Sequence, residues 1–172
     1  VESWRRIFRI AKYYGINYYR CHSYTPPKAA FEAADLEGIY FQAELPLWGT
    51  ISAHNPRLNN FLLNEANMTL DYLGNHPSFM MFGLGNELNG DVGIMRSWLE
   101  GFRKHDNRHL YSFGSNNFLG WQGPQEGEDY FTTCRVGWGE GYTSHVRSSF
   151  AFVDAEKGGI LNNTRPNTRA NY

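Results

Sequence analysis

The stretch of sequence that decides the fold is NHPSFMMFGLGNE, from Asn75 to Glu87. Its apolar part, Phe79 to Leu84, is the most apolar run in the chain, and it is short and bounded by a proline and a glycine. These features are typical of a buried strand. Two polar residues, Asn86 and Glu87, follow at once. The stretch therefore predicts a strand that presents an amide and a carboxyl group at its C-terminal end.

Helices and strands alternate on both sides of this stretch. Helices are predicted for Glu2 to Tyr14, for the segment whose first turn holds Pro26 and Pro27 and which ends at Gly38, for Leu58 to Leu73 and for about Ile94 to Lys104. Further strands are predicted for Ile16 to His22, Ile39 to Glu44 and Leu110 to Phe113, with a fifth candidate at Tyr130 to Val136. The final stretch, Gly158 to Tyr172, is rich in Asn, Thr and Arg and is typical of an irregular loop. Such alternation with short turns indicates βαβ units and a parallel sheet.

A parallel sheet of this kind is either an open doubly wound sheet or a closed barrel. Three successive predicted strands finish in polar residues, which are Arg20 and His22, then Glu44, then Asn86 and Glu87. A (β/α)8 TIM barrel builds its active site from several strand ends in this way. No glycine-rich phosphate loop follows a strand, and this disfavours a nucleotide-dependent open sheet. We therefore predict an α/β fold of the TIM-barrel type.

The length of the chain limits how much of a barrel it can form. A complete barrel takes about 250 residues, whereas this chain has 172. It starts in a predicted helix and finishes in a predicted loop, so we expect about five of the eight strands. Residues 1–172 are accordingly predicted to be one partial barrel domain that needs the remainder of a parent chain to close.

Composition excludes several classes of partner. The chain has 16 Lys and Arg residues and 17 Asp and Glu residues, a net charge of −1, and therefore lacks the basic surface that binds nucleic acid or an anionic membrane. No apolar stretch approaches the roughly 18 residues of a transmembrane helix. Cys21 and Cys134 form neither a C-x-x-C pair nor a zinc spacing. We expect no nucleic acid, no membrane and no cysteine-bound metal.

Two blocks of the sequence resemble glycoside hydrolase family 2, which includes β-galactosidases, β-glucuronidases and β-mannosidases. The stretch at 75–87 is similar to the family's acid/base signature, in which N-H-P-S, an apolar strand and G-N-E occur in this order. The second block runs from Gly15-Ile16-Asn17 through Arg20-Cys21-His22-Ser23-Tyr24 to Gly38-Ile39-Tyr40 and Glu44. Both blocks lie in the first half of the chain and in the family's order. The resemblance implies a retaining β-glycosidase, here the partial catalytic barrel, acting on an oligosaccharide or polysaccharide.

The resemblance also implies roles for the residues at the strand ends. Glu87 would be the general acid/base, and the alternative from position alone is a Glu paired with a nearby Arg at a strand end. Asn86 would bind the 2-hydroxyl of the sugar. Arg20 is similar in position to the arginine that orients the nucleophilic carboxylate. His22 and Glu44 resemble sugar-binding or site-supporting residues, with a satisfied polar group at a strand end as the alternative.

A retaining glycosidase needs a second carboxylate as its nucleophile, roughly 5 to 5.5 Å from the first. The family's motif for it, S-E or H-E followed by a small residue, has no match in the chain. We therefore expect the nucleophile beyond Tyr172. Glu140, in the glycine-rich segment Gly137 to Tyr142, is a candidate for a substrate loop.

The predicted site also includes three tryptophans, and it includes no metal. Trp48, Trp121 and Trp138 lie in predicted loops, where their rings would either cover the apolar face of a sugar or fill the core. The family's large β-galactosidases bind magnesium near the acid/base, but this chain shows no ligand set beyond Glu87. We expect no metal and no cofactor.

Two questions of function stay open at this point. A carbohydrate-binding protein on the same scaffold, without a complete carboxylate pair, is the competing interpretation, because a fold does not determine a function. For the sugar, a β-galactoside is the first expectation and an acidic plant glycan is the alternative. Relatives that degrade polysaccharides are often periplasmic or secreted, and this is the expected location.

Overall fold

A computed structural model describes residues 1–115, 117–119 and 126–132, and the backbone of two further strands at 150–154 and 159–160. The helices are α1 (Glu2–Tyr13), α2 (Lys28–Glu37), α3 (Pro56–Leu73) and α4 (Val92–His105). The strands are β1 (Tyr18–Arg20), β2 (Tyr40–Glu44), β3 (Trp48–Ile51), β4 (Phe79–Gly83), β5 (Asn86–Gly90), β6 (Leu110–Ser112), β7 (Tyr130–Thr132), β8 (Phe150–Asp154) and β9 (Gly159–Ile160). None of the described helices has the length and apolar character that crossing a membrane requires.

Four strands form one parallel sheet in the order β1-β2-β4-β6. The order follows the chain without a reversal, whereas a doubly wound sheet reverses at a switch point. The predicted mixed α/β fold with a parallel sheet is therefore confirmed. Its strand order is the one that part of a (β/α)8 barrel would have.

The two faces of the sheet differ in character because side chains alternate along a strand. In β2, Phe41 lies on the helix-facing side, where its ring contacts Phe8 of α1 at 5.7 Å and Phe31 of α2 at 5.1 Å between centroids. Gln42 and Glu44 lie on the other side and are fully buried. The helix-facing side is thus an aromatic core, and the opposite side carries the polar groups.

The N-H-P-S part of the deciding stretch has a structural role at the start of β4. His76 Nδ1 lies 2.6 Å from Asp35 Oδ2, and the backbone N–H of Ser78 donates to Asp35 Oδ1 at 2.9 Å. The Ser78 hydroxyl donates to the carbonyl of Phe31 at 3.3 Å. These bonds join α2 to the N-terminal end of β4. The five residues of β4 span about 16 Å. The bonds of His76 and Ser78 therefore lie at the opposite end of β4 from Asn86.

Two predictions about loops and helix starts are wrong. Trp48 does not lie in a loop, because β3 pairs in parallel with β5 and so holds Trp48 opposite Asn86. Asn86 and Glu87 follow β4, as predicted, and in addition begin a further strand, β5. The prolines precede α2, which begins at Lys28, since Pro27 has an extended backbone and is its N-cap.

The C-terminal elements also differ from expectation. The predicted fifth strand is limited to Tyr130–Thr132, and residues 133–136 lie outside the described residues. This strand pairs antiparallel with β8, which the sequence did not predict, and an isolated parallel bridge links its Thr132 to Ser115, which follows β6. Residues 159–160, expected in an irregular loop, form β9 beside β8. Antiparallel strands need no crossover helix between them, so the alternation of helices and strands did not reveal them.

Candidate active site

One guanidinium group joins three strands at the C-terminal edge of the sheet. Arg20, the last residue of β1, donates from Nε to Glu44 Oε1 at 2.6 Å and from Nη2 to Glu44 Oε2 at 3.0 Å. Its Nη2 also donates to Asn86 Oδ1 at 2.7 Å. The structure therefore brings together Arg20, Glu44 and Asn86, which the sequence singled out separately.

Glu44 is a buried carboxylate with several hydrogen-bond donors around it. Its side chain is 0% exposed. Besides Arg20, the donors are Gln42 Nε2 at 3.0 Å and the Ser115 hydroxyl at 2.6 Å to Oε1, and the backbone N–H of Ser23 at 2.7 Å to Oε2. A buried charge is tolerated only with such pairing. Of the two roles expected for Glu44, this setting favours support of the site over direct contact with a sugar.

Sequence reasoning missed Gln42 and Ser115. Gln42 carried a usable signal, because it lies two residues before Glu44 in the same strand and so on the same face. Its Oε1 accepts from the Thr132 hydroxyl at 3.1 Å and from the hydroxyl of Tyr18. Ser115 follows a glycine after β6 and carried no such signal. Together these residues extend the polar network from β1 to β7.

Glu87 lies beside this network in an unusual backbone conformation. Its φ is +51°, in the left-handed region that residues other than glycine seldom adopt. The backbone N–H of Glu87 donates to the Ser115 carbonyl at 2.7 Å, and the indole N–H of Trp48 donates to its Oε2 at 3.0 Å. The side chain is half-buried. Strained residues of this kind cluster at functional sites, so the conformation supports a functional hypothesis for Glu87.

The indole that donates to Glu87 also contacts a second ring, that of His22. The His22 ring lies 5.0 Å from the Trp48 ring between centroids, and its Nδ1 is 3.0 Å from the Ser23 hydroxyl. Both His22 and Trp48 are exposed. The carboxyl group of Glu87 therefore bonds to an exposed indole, and the Glu87 backbone bonds to Ser115 of the buried polar network.

Cys21 and Tyr130 lie close to the polar network but are poorly suited to chemistry. Burial, reinforced by the charge of Glu44, raises the pKa of the Cys21 thiol to about 12. Burial likewise raises the pKa of Tyr130 well above its ordinary value. Both groups are therefore uncharged near neutral pH, and Cys21 is neither a ready nucleophile nor a ready metal ligand. Within the described residues, no group of three His, Cys, Asp or Glu side chains could hold a metal ion.

Several predicted site residues cannot be placed. Glu140, Trp121 and Trp138 lie outside the described residues. Their expected roles stay predictions.

Comparisons with known proteins then test the resemblance. No protein-family model matches the sequence, and no curated protein matches it. Solved structures do match: an FMN-binding β-glucuronidase from Facaelibacterium prausnitzii L2-6 superposes with a TM-score of 0.67 at 18% identity, over 78% of this chain and 22% of that chain. The described part of this chain therefore shares its fold with part of that β-glucuronidase. Two family 2 structures extend this finding.

The first is a glycosyl hydrolase family 2 member from Bacteroides cellulosilyticus DSM 14838, with a TM-score of 0.56 at 17% identity, over 77% of this chain and 18% of that chain. The second is a family 2 β-galacturonidase from Eisenbergiella tayi bound to galacturonate, with a TM-score of 0.57 at 20% identity, over 66% of this chain and 21% of that chain. The predicted resemblance to family 2 is thus confirmed at the level of the fold. The chain spans about a fifth of the length of the structures it matches.

Proposed function

We propose that this chain is part of the catalytic barrel of a retaining β-glycosidase in which Glu87 is the general acid/base. The observation that carries the proposal is the position of the Glu87 carboxyl group. Glu87 follows Asn86, whose side chain is bound by Arg20, and its Oε2 accepts from the indole N–H of the exposed Trp48. The fold adds support, because named glycosidases superpose on this chain.

The proposed reaction has two steps. In the first, Glu87 gives its proton to the glycosidic oxygen as the bond from that oxygen to the anomeric carbon breaks, and a second carboxylate forms a bond to the anomeric carbon. In the second, Glu87 takes a proton from water, whose oxygen displaces the second carboxylate. That second carboxylate is proposed to lie beyond Tyr172, in the part of a parent chain that completes the barrel.

Asn86 and Arg20 have supporting roles in this proposal. The amide of Asn86 would bind the 2-hydroxyl of the sugar, a contact that strengthens in the transition state. Its Oδ1 accepts from Arg20, and this bond sets the orientation of the amide group. Arg20 would orient the nucleophile, and Glu44 would hold Arg20 in place.

The proposed substrate class is a β-linked glycoside within an oligosaccharide or polysaccharide. The matched structures are named as a β-glucuronidase and a β-galacturonidase, and one of them contains galacturonate. These names favour acidic sugars over the galactose that the sequence suggested first. Aryl β-glucuronides, β-galacturonides and β-galactosides are therefore the substrates to compare.

Glu87→Gln in the longer protein tests the assignment. The acid step matters only for leaving groups that need a proton, so we expect kcat/KM for a phenyl β-glycoside to fall by about 10²- to 10⁴-fold. The loss for a dinitrophenyl β-glycoside in the first step should be far smaller. Steady-state rates on both substrates give the comparison. Glu100→Gln is the matched control, because Glu100 is exposed on α4.

Two outcomes would contradict this function. Equal losses on both substrates would remove the acid/base role from Glu87. Binding of oligosaccharides without hydrolysis by the unaltered longer protein would favour the carbohydrate-binding alternative.

A further inference from the structure

Trp48 keeps a defined position although little of it is buried. Its residue is 63% exposed, so burial of apolar surface does not explain where its ring lies. Two contacts do: the indole N–H donates to Glu87 Oε2 at 3.0 Å, and the ring meets that of His22. The indole is therefore oriented by polar and ring contacts at the candidate site.

The backbone supports the same contact. Trp48 pairs with Asn86 in the parallel ladder of β3 and β5, one residue from Glu87. The backbone N–H of Asn86 donates to the carbonyl of Leu47 at 2.9 Å. These bonds place the backbone that carries the indole next to the backbone that carries the carboxyl group.

In this contact the indole can only donate the hydrogen bond, and the carboxyl oxygen of Glu87 can only accept it. An indole N–H is a donor only, so its partner Oε2 must present a lone pair. When the carboxyl group is protonated, this arrangement favours Oε2 as the carbonyl oxygen and places the proton on Oε1. We propose that Trp48 is a positioning residue that keeps the acidic proton of Glu87 on Oε1. The proposal rests on the proposed function of Glu87 and goes beyond the ring-to-sugar contact that the sequence suggested for Trp48.

The two roles of Trp48 make different demands on its side chain. Stacking against a sugar needs only an aromatic face, which phenylalanine also has. Holding the proton on one oxygen needs the N–H, which phenylalanine lacks. Trp48→Phe therefore removes the proposed role and keeps most of the stacking surface.

The experiment uses the longer protein and the aryl glycosides of the sugar that it cleaves. Trp48→Phe is expected to lower kcat/KM for the phenyl glycoside by about 10-fold, a small part of the total effect of general acid catalysis. For the dinitrophenyl glycoside, whose leaving group needs no proton, kcat/KM should change by less than about 3-fold. KM should stay close to that of the unaltered protein on both substrates. Trp4→Phe on α1 makes the same replacement away from the site and should change neither rate.

Each other outcome overturns the proposal in a recognisable way. Equal losses on both substrates, or a change confined to KM, would make Trp48 a sugar-binding ring. Unchanged rates would leave the N–H without a role, and failure of Trp48→Phe to fold would show that the ring is structural. If the unaltered protein is inactive, or if Glu87→Gln shows no dependence on the leaving group, the proposed function itself fails, and the role of Trp48 fails with it.

Discussion

The ion pair between Arg20 and Glu44 provides geometry more than stability. Burying two charges costs desolvation free energy that their attraction only partly offsets, whereas removing one partner destabilises by about 3 to 5 kcal/mol. The pair does orient the side chains around it, because a planar guanidinium can bond to a carboxylate and to a neighbouring amide at the same time. The guanidinium group of Arg20 thereby holds the Asn86 amide in place.

Arg20→Lys tests whether the planar set of N–H donors of the guanidinium group is needed, and not only its positive charge. An ammonium group keeps the positive charge but cannot reach both oxygens of Glu44 and Asn86 in one plane. We expect kcat/KM of the longer protein to fall by about 10- to 100-fold, since misplacement by about 1 Å costs roughly that much. Arg9→Lys is the matched control, because Arg9 is half-exposed and binds Glu37 at the surface. Full activity of Arg20→Lys would mean that charge alone is sufficient.

The ladder of β3 and β5 is the element on which Glu87 and Trp48 depend. Gly85 has a φ of +141°, and a Cβ there would overlap the carbonyl oxygen of Leu47. The absence of a side chain at Gly85 therefore lets β5 approach β3 closely enough to pair. This approach sets the distance between the indole of Trp48 and the carboxyl group of Glu87.

Gly85→Ala should push the two strands apart. A non-glycine residue in that backbone region costs of order 1 to 3 kcal/mol, and the overlap with Leu47 adds to it. We expect a lower thermal unfolding temperature and a loss of at least about 10-fold in kcat/KM, since catalytic groups tolerate little displacement. Gly101→Ala, at an exposed position of α4, should stabilise by up to about 1 kcal/mol, because its Cβ would meet nothing within 4 Å. Wild-type stability and activity of Gly85→Ala would show that β3 and β5 adjust freely.

At the scale of the whole molecule, the described sheet has one apolar, aromatic side and one polar side. Helices cover the aromatic side, and Gln42, Glu44 and Ser115 bond to one another on the other side. In a closed barrel this polar side would face the strands across the interior. The match covers only 22% and 18% of the length of two of the matched structures, so such strands are proposed to lie in a longer protein.

The isolated 172 residues are expected to show no glycosidase activity, even with Glu87 intact. A general acid alone contributes only about 10²- to 10⁴-fold, and the glycosyl-enzyme intermediate needs a second carboxylate. Unpaired strand edges would also favour association of the chains. The assay uses aryl β-glycosides, with the longer protein as the positive control. Turnover by the isolated chain that disappears in Glu140→Gln would instead identify Glu140 as the nucleophile.

Local patterns in the sequence determined much of the fold and the outline of the site. Periodicity located the four helices within a few residues and the four strands of the parallel sheet, because apolar spacing reports which face of an element is buried. The meeting of Arg20, Glu44 and Asn86 was also predictable. Their strands are parallel, and the C-terminal ends of parallel strands share one edge.

Only the tertiary structure decided which groups touch at that edge. The ladder of β3 and β5 joins segments almost 40 residues apart, and the bonds from Gln42 to Ser115 and Thr132 join residues that are more distant still. Strand pairing of this kind depends on the partner's edge and its burial more than on local propensity. The same holds for the bond between Trp48 and Glu87, because a donor and an acceptor find each other only after both backbones are placed.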